Sequence, residues 1–88
     1  MRCLVVDDCE ELALLWRLEL TTRGFDVDVA LNAEEAFKAM LHTRYDLIVA
    51  DLGLPDGSGV TVAQSAAMRA PDADVVVVTA RTEFPNGE

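Results

Sequence analysis

The sequence alternates four short apolar runs with three helical patterns, and this alternation limits the possible folds more than any other feature. The runs cover residues 2–7, 26–30, 46–51 and 74–79. The run at 26–30 alternates polar and apolar residues, which is typical of a half-exposed edge strand. Strands that are separated by helices require a parallel sheet with right-handed crossover connections. We therefore predict one α/β domain with a doubly wound parallel sheet.

Start and stop residues flank the three segments between these runs. The first helix is predicted over residues 9–22, and the third follows a Gly/Pro-rich loop over 53–59. The residues that mark the helix ends are Asp8 or Cys9, Gly24, Asn32 with Glu35, Ser58 and Pro71. The apolar residues of the helices are predicted to face the core. They are Leu12, Leu15, Trp16, Leu18 and Leu20, then Ala36, Phe37, Met40 and Leu41, and finally Met68.

Composition excludes several classes of function. The chain has 88 residues, enough for one small domain, and 51% of them are apolar, which allows a dense core. The net charge of −9 argues against binding to nucleic acid or to an anionic membrane, but it permits divalent cations. No apolar run approaches the roughly 20 residues of a membrane span. The first residues do not resemble a signal peptide, so we predict a cytoplasmic protein. Two cysteines, Cys3 and Cys9, cannot form a disulfide scaffold.

Polar residues follow three of the predicted strands. Asp7 and Asp8 come at the end of the first run, Asp51 ends the third, and Thr79 ends the fourth. In an open parallel sheet, ligands bind at the carboxyl ends of the strands, near the point where the strand order reverses. We therefore expect these four residues to converge on one edge of the sheet.

Two interpretations of this edge are open. Clustered carboxylates repel one another, and a hard divalent cation such as Mg²⁺ relieves that repulsion. An aspartate beside the cation can also attack phosphorus and form an aspartyl-phosphate, with Thr79 donating a hydrogen bond to a phosphoryl oxygen. In the alternative interpretation the acids are ordinary solvated residues, with Asp8 capping the first helix and Asp51 meeting solvent.

Several motifs in register resemble the receiver (response-regulator) domain of two-component signalling. The matching segments are Leu4-Val5-Val6-Asp7-Asp8, Gly24-Phe25-Asp26-Val27, Asn32-Ala33-Glu34-Glu35-Ala36, Tyr45-Asp46-Leu47-Ile48-Val49-Ala50-Asp51, Leu54-Pro55-Asp56-Gly57-Ser58-Gly59 and Val77-Val78-Thr79-Ala80. An acidic pair is common by itself. The combination of three motifs in this order is specific. First comes the acidic pair, then a strand-end aspartate with proline four and glycine eight residues later, and finally a strand-end Thr-Ala.

The resemblance implies a metal and phosphoryl site. Asp51 would be the phosphoacceptor. Asp8 and Asp51 would bind Mg²⁺ directly, Asp7 would bind it through water, and the carbonyl of Gly53 would be a further ligand. Gly53 departs from the larger or polar residue that is usual in the family at this position, and we expect the missing side chain to alter water access to an acyl-phosphate.

The last matching motif supplies the remaining roles that the resemblance implies. Thr79 would be the hydroxyl that moves toward the phosphoryl group, and the amide of Ala80 would contact a phosphoryl oxygen. The phosphoryl group would come from a sensor histidine kinase, and the domain would regulate an output domain or partner protein in a bacterium. We expect slow self-catalysed phosphotransfer and hydrolysis, and no enzyme that turns over a metabolite.

The resemblance ends near Arg81, before the fifth strand of the family and its phosphoryl-binding lysine. The only lysine of this chain is Lys38, inside the predicted second helix, and residues 82–88 are turn-like. We therefore expect residues 1–88 to form a partial receiver domain. Its fold would be flavodoxin-like with strand order 2-1-3-4, without the fifth strand and the last helices.

The composition of the fourth run conflicts with its predicted position in the sheet. Residues 75–78 are four consecutive valines, a pattern typical of a strand buried on both faces. The predicted order nevertheless puts this strand at an edge, where a flat apolar strand invites pairing with another chain. Two explanations are open: these residues belong to a longer receiver-containing protein, or the chain ends here and dimerises through this edge.

Two classes of function follow from these features. The first is a phosphorylatable receiver that uses Asp51 and Mg²⁺. The second is a receiver-like interaction or dimerisation module that never carries phosphate. The missing fifth strand favours it, and the intact set of Asp7, Asp8, Asp51 and Thr79 opposes it. An aspartyl-phosphate phosphatase of the haloacid dehalogenase type needs an Asp-x-Asp-x-Thr motif after a strand, and neither Asp7 nor Asp51 begins one.

Overall fold

The computed structural model describes residues 1–51, 53–55, 57 and 59–78. In this part of the chain, four strands alternate with three helices, as the sequence predicts. In chain order they are β1 (Arg2–Val6), α1 (Glu10–Thr22), β2 (Asp26–Ala30), α2 (Ala33–His42), β3 (Leu47–Asp51), α3 (Gly59–Arg69) and β4 (Asp74–Val78). None of the described helices combines the length and the apolar character needed to cross a bilayer.

The strands form one parallel sheet in the order β2-β1-β3-β4, which confirms the predicted α/β topology. The register aligns Val6 with Ala30 on one side and with Ala50 on the other. Asp51 is aligned with Val78 of β4. The carboxyl ends of β1 and β3 therefore lie side by side in the middle of the sheet.

Alternate residues of the central strands enter two separate cores. Leu4, Val6, Ile48 and Ala50 face α2 and α3, where small side chains such as Ala36 allow close packing. The other face of the sheet packs against α1. Its buried residues are Cys3, Val5, Ala13, Leu20 and Val49. Successive side chains of these strands thus point to opposite faces of the sheet and pack against the helices on both sides, as expected for a sheet covered on both faces.

Four of the apolar helix residues predicted to face the core are exposed instead. They are Leu15, Leu18, Leu41 and Met68, the last of which is 84% exposed. The reason is the helical period: Met68 lies two residues beyond the buried Ala66, which places it about 200° around the helix. Leu15 and Leu18 are likewise displaced from the face of α1 that contacts the sheet.

Two predicted helix ends are confirmed in detail. Gly24 follows α1 with φ 95°, a conformation in which glycine avoids the strain of a Cβ atom. At the start of α2, Asn32 Oδ1 accepts a hydrogen bond from the Glu35 amide, and Glu35 Oε1 accepts one from the Leu31 amide, both at 2.8 Å. Cys9 precedes α1 without a side-chain cap. The predicted cap Ser58 lies outside the described residues.

The outer strand β4 presents part of its valine run to solvent. It is an edge strand of the described sheet. Val76 and Val77 are exposed by 45% and 37%. This agrees with the predicted edge position, and pairing of two chains through β4 stays a prediction.

The amino-terminal edge of the sheet is held by a polar network around Asp28. The Tyr45 hydroxyl donates a hydrogen bond of 2.7 Å to Asp28 Oδ2, and the Arg2 guanidinium lies 3.5 Å from the same oxygen. The Arg2 amide also donates to Asp46 Oδ2 at 2.8 Å. Burial, with the carboxylate of Asp28 beside it, raises the pKa of Tyr45 to about 12. This network links the connection between α2 and β3 to the edge strand β2.

The raised pKa of Tyr45 predicts a loss of stability in alkali. The folded state favours the neutral phenol, so its contribution is complete below the ordinary pKa of 10.0 and disappears as the pH rises toward about 12. Tyr45→Phe should be about 1–2 kcal/mol less stable at neutral pH. It should also lose less stability than the wild type across the alkaline range. Urea unfolding at several pH values measures both effects, and parallel decline of the two proteins would contradict the prediction.

The two thiols should differ strongly in reactivity. Cys3 is fully buried and Cys9 is exposed, and burial raises the pKa of the Cys3 thiol to about 11. A thiol reagent at neutral pH should therefore add once to the native chain, at Cys9, and twice after denaturation. Cys9→Ser should show no rapid addition when it is folded. Intact mass spectrometry over time measures this, and equal labelling rates at both sites would disprove the packing described for β1.

Candidate metal centre

Three carboxylates meet at the carboxyl edge of the central strands. Asp51 is the last residue of β3. Asp7 directly follows β1, and its amide donates a hydrogen bond to the Ala30 carbonyl at 3.0 Å, which extends the pairing with β2 beyond the strand. Asp8 comes next. One carboxylate oxygen from each of Asp7, Asp8 and Asp51 lies within 4.8 Å of the other two.

The three acids differ in their environment. Asp7 and Asp51 are each only 2% exposed, whereas Asp8 is exposed at the mouth of the site. Asp7 Oδ1 accepts a hydrogen bond from the Cys9 amide at 3.0 Å, which holds its carboxylate in place. Asp51 Oδ1 is buried and accepts no hydrogen bond from any described residue. The arrangement opposes the alternative prediction that Asp51 simply meets solvent.

A buried carboxylate oxygen without a partner is costly, because it loses its hydration and receives nothing in return. A divalent cation among the three acids would supply the missing charge. The donor atoms are all hard carboxylate oxygens, and one of them faces solvent, which suits Mg²⁺ because this ion keeps several of its waters. The residues present therefore fit a magnesium ion. Among the described residues, the group of ligand atoms does not include the Cys9 thiol.

Of the other predicted site residues, the structure describes only Gly53. Gly53 is described, and it lies two residues after Asp51 in the loop that leaves β3. The role of its carbonyl as a metal ligand stays a prediction. Thr79 and Ala80, which the sequence places at the end of the fourth strand, lie outside the described residues, so their predicted convergence with the acids is untested.

A groove of about 360 Å³ lies elsewhere, between the carboxyl-terminal ends of α2 and α3. Its lining includes Arg44, whose guanidinium pairs with Asp72 at 2.8 Å, and the buried Tyr45. None of the three clustered acids lines it. The sequence did not predict this groove, because it is formed by two helix ends that are far apart in the chain.

The fold and the acidic edge together define a receiver. The model of the response regulator receiver domain family matches residues 3–87, and the chain belongs to this family. The transcriptional regulatory protein RprY of Bacteroides fragilis (strain YCH46) is 33% identical over 82 residues. The match covers 93% of this chain and 35% of RprY. The chain thus spans about a third of the length of this relative.

Solved structures of similar chains contain ligands of the expected kind. A response regulator from Burkholderia pseudomallei, with a phosphorylated aspartic acid, a calcium ion and citrate, has a TM-score of 0.85 and 31% identity; the match covers 94% of this chain and 49% of that one. The response regulator TrrA of Thermotoga maritima, in complex with Mg²⁺ and BeF, has a TM-score of 0.84 and 37% identity, with coverage of 92% and 70%. TrrA has also been solved with the histidine kinase ThkA; that match has a TM-score of 0.82 and 35% identity, with coverage of 98% and 74%.

The clustered acids predict stabilisation by Mg²⁺ at constant ionic strength. A ligand that binds only the folded state raises the thermal midpoint by mass action. Asp8→Asn removes a ligand without burying an amide, and it should weaken the apparent Mg²⁺ affinity by at least about tenfold. Asp26→Asn is the charge-matched control, because Asp26 is exposed at the opposite edge of the sheet. Equal stabilisation of wild type and Asp8→Asn, measured by thermal unfolding, would show that the ion binds elsewhere.

Proposed function

We propose that this chain is a phosphoacceptor receiver, which takes a phosphoryl group from the phosphohistidine of a sensor kinase onto Asp51 with the help of Mg²⁺. The observation that carries the proposal is the buried Oδ1 of Asp51, which has no partner among the described residues and lies beside two further carboxylates. Membership of the receiver family and the phosphorylated aspartic acid of the Burkholderia pseudomallei relative support it.

The proposed transfer is a nucleophilic displacement at phosphorus. A carboxylate oxygen of Asp51 forms the new P–O bond while the P–N bond to the donor imidazole breaks. The imidazole nitrogen leaves with the electron pair and takes up a proton from solvent. The product is an acyl-phosphate on Asp51, which water then hydrolyses to the free carboxylate and inorganic phosphate.

The surrounding residues have distinct roles in this proposal. Asp8, Asp51 and the Gly53 carbonyl would hold Mg²⁺, and Asp7 would do so through water. The bound ion supplies positive charge that offsets the carboxylates and the incoming phosphoryl oxygens. The hydrogen bond from the Cys9 amide to Asp7 Oδ1 holds that carboxylate beside Asp8 and Asp51. Thr79 and Ala80 keep their proposed roles as donors to the phosphoryl group.

The chain is proposed to act as a switch with slow self-catalysed chemistry, and not as a turnover enzyme. Its only lysine is Lys38, whose Nζ lies 3.5 Å from Glu34 Oε2 on the exposed side of α2. It therefore cannot stabilise the transferring phosphoryl group, and we expect the 88-residue chain to react slowly. Its partners would be a sensor histidine kinase and an output domain or regulated protein. The cytoplasmic location and the bacterial source stay predictions.

Phosphorylation is tested by intact mass spectrometry after incubation with a small acyl-phosphate donor and Mg²⁺. The wild type and the control Asp26→Asn should each gain one phosphoryl group, and Asp51→Asn should gain none. Chelation of the metal should lower the rate in the two reactive proteins by at least about a hundredfold, because several kcal/mol of charge stabilisation are lost.

Two results would contradict the proposal. Labelling of Asp51→Asn would mean that another residue accepts the phosphoryl group. A folded wild type that binds Mg²⁺ but gains no mass would favour the alternative of a receiver-like interaction module without phosphate.

A further inference from the structure

The first residue of α3 lies directly against the backbone of Asp51. Gly59 is buried, and a Cβ atom built on it would lie 2.6 Å from the Asp51 carbonyl oxygen and 2.9 Å from its carbonyl carbon. The same Cβ atom would lie 3.1 Å from Cγ1 of Val77 on β4. Separations under 3.0 Å essentially never occur for a real Cβ atom, so any side chain here requires a shift of the structure.

The atoms in the way decide what must shift. A clash with the end of a flexible side chain is relieved by a new rotamer, but the closest atoms here belong to the main chain of Asp51. Asp51 is itself part of the sheet, where it is aligned with Val78 of β4. A larger residue at position 59 must therefore push α3 outward or rotate the peptide that follows Asp51.

Either movement affects the acidic edge. The peptide after Asp51 leads to Gly53, whose carbonyl is a proposed metal ligand. Asp51 itself contributes one of the three clustered oxygens. The close approach to the Asp51 carbonyl accounts for a glycine at this position.

We propose that Gly59 is a positioning residue for the acidic edge: the absence of its side chain lets α3 seat on the Asp51 carbonyl and sets the geometry of the Asp51 and Gly53 oxygens toward Mg²⁺ and the phosphoryl donor. This inference rests on the proposed function for the phosphoryl step, but its metal part stands on Mg²⁺ binding alone. No substrate or metal contact is assigned to Gly59 itself.

The test compares three variants of the whole chain. Gly59→Ala introduces the clash. Gly57→Ala is the matched glycine control, because its Cβ atom would meet only the Ala33 side chain, at 3.3 Å. Val62→Ala is the stability control, because it removes two buried methyl groups from the same helix and adds no atom that could clash. Each protein is measured for thermal stability, for Mg²⁺ affinity by calorimetry, and for the phosphorylation rate at saturating Mg²⁺, below its unfolding transition.

Gly59→Ala should weaken Mg²⁺ binding by about tenfold. It should slow phosphorylation at saturating Mg²⁺ by about a hundredfold, as expected for a misplacement of around 1 Å at a reacting group. Gly57→Ala and Val62→Ala should stay within about twofold of the wild type in both measurements, although Val62→Ala loses stability. If Gly59→Ala loses Mg²⁺ affinity while the less stable Val62→Ala keeps it, Gly59 has a positioning role and not only a general structural one.

Three outcomes overturn the inference. In the first, folded Gly59→Ala keeps both values near those of the wild type. In the second, Val62→Ala loses as much affinity and rate as Gly59→Ala. In the third, the wild type binds no Mg²⁺, which would also refute the proposed function. If the wild type binds Mg²⁺ but accepts no phosphoryl group, only the proposed function fails, and the affinities of the variants still decide the positioning role.

If Gly59→Ala does not fold, the wild type gives the answer by nuclear magnetic resonance. The chain has five glycines, so their amide signals are readily assigned. On titration with Mg²⁺, the Gly59 signal should shift with the same midpoint as that of Gly53. The Gly24 signal, at the opposite edge of the sheet, should stay fixed. A Gly59 signal as unresponsive as that of Gly24 would overturn the inference.

Discussion

The acidic cluster depends on the parallel pairing of β1 with β3. The pairing aligns Val6 with Ala50, and an aspartate follows each of them. Because the strands run in the same direction, both aspartates leave the sheet at the same edge; in an antiparallel pair they would lie at opposite ends. The pairing places Asp51 beside Asp7 and Asp8, and its buried Oδ1 has no hydrogen-bond partner among the described residues.

Polar side chains cluster at both ends of the strands, in different ways. At the amino-terminal edge, the Asp28 carboxylate accepts a hydrogen bond from the Tyr45 hydroxyl and forms an ion pair with Arg2. At the carboxyl edge the acids are gathered instead, and Gly59 brings α3 against the backbone of one of them. The network around Asp28 and the acidic cluster are therefore separate groups of polar residues.

The fold and the acidic set were predictable from the chain for a simple reason: periodicity and strand-end residues are local signals. The run ending at Asp51, the glycine at position 24 and the Asn32 cap were all visible in the sequence and all appear in the structure. The exposure of Leu18 and Met68 was not, because apolar content alone does not say which side of a helix meets the sheet. The network around Asp28 was missed because it joins residues from two strands and from the connection between α2 and β3.

The sequence by itself determined the order of elements, the direction of the strands and the presence of three acids at strand ends, because each of these depends on residues that are neighbours in the chain. Only the tertiary structure decided how those acids differ. Packing of two helical layers buries Asp7 and Asp51 and leaves Asp8 in solvent. It also brings Gly59 onto the Asp51 carbonyl, a contact that a glycine in a loop motif does not reveal. Burial and close approach depend on how the helices pack on the sheet, and the local sequence pattern does not contain that information.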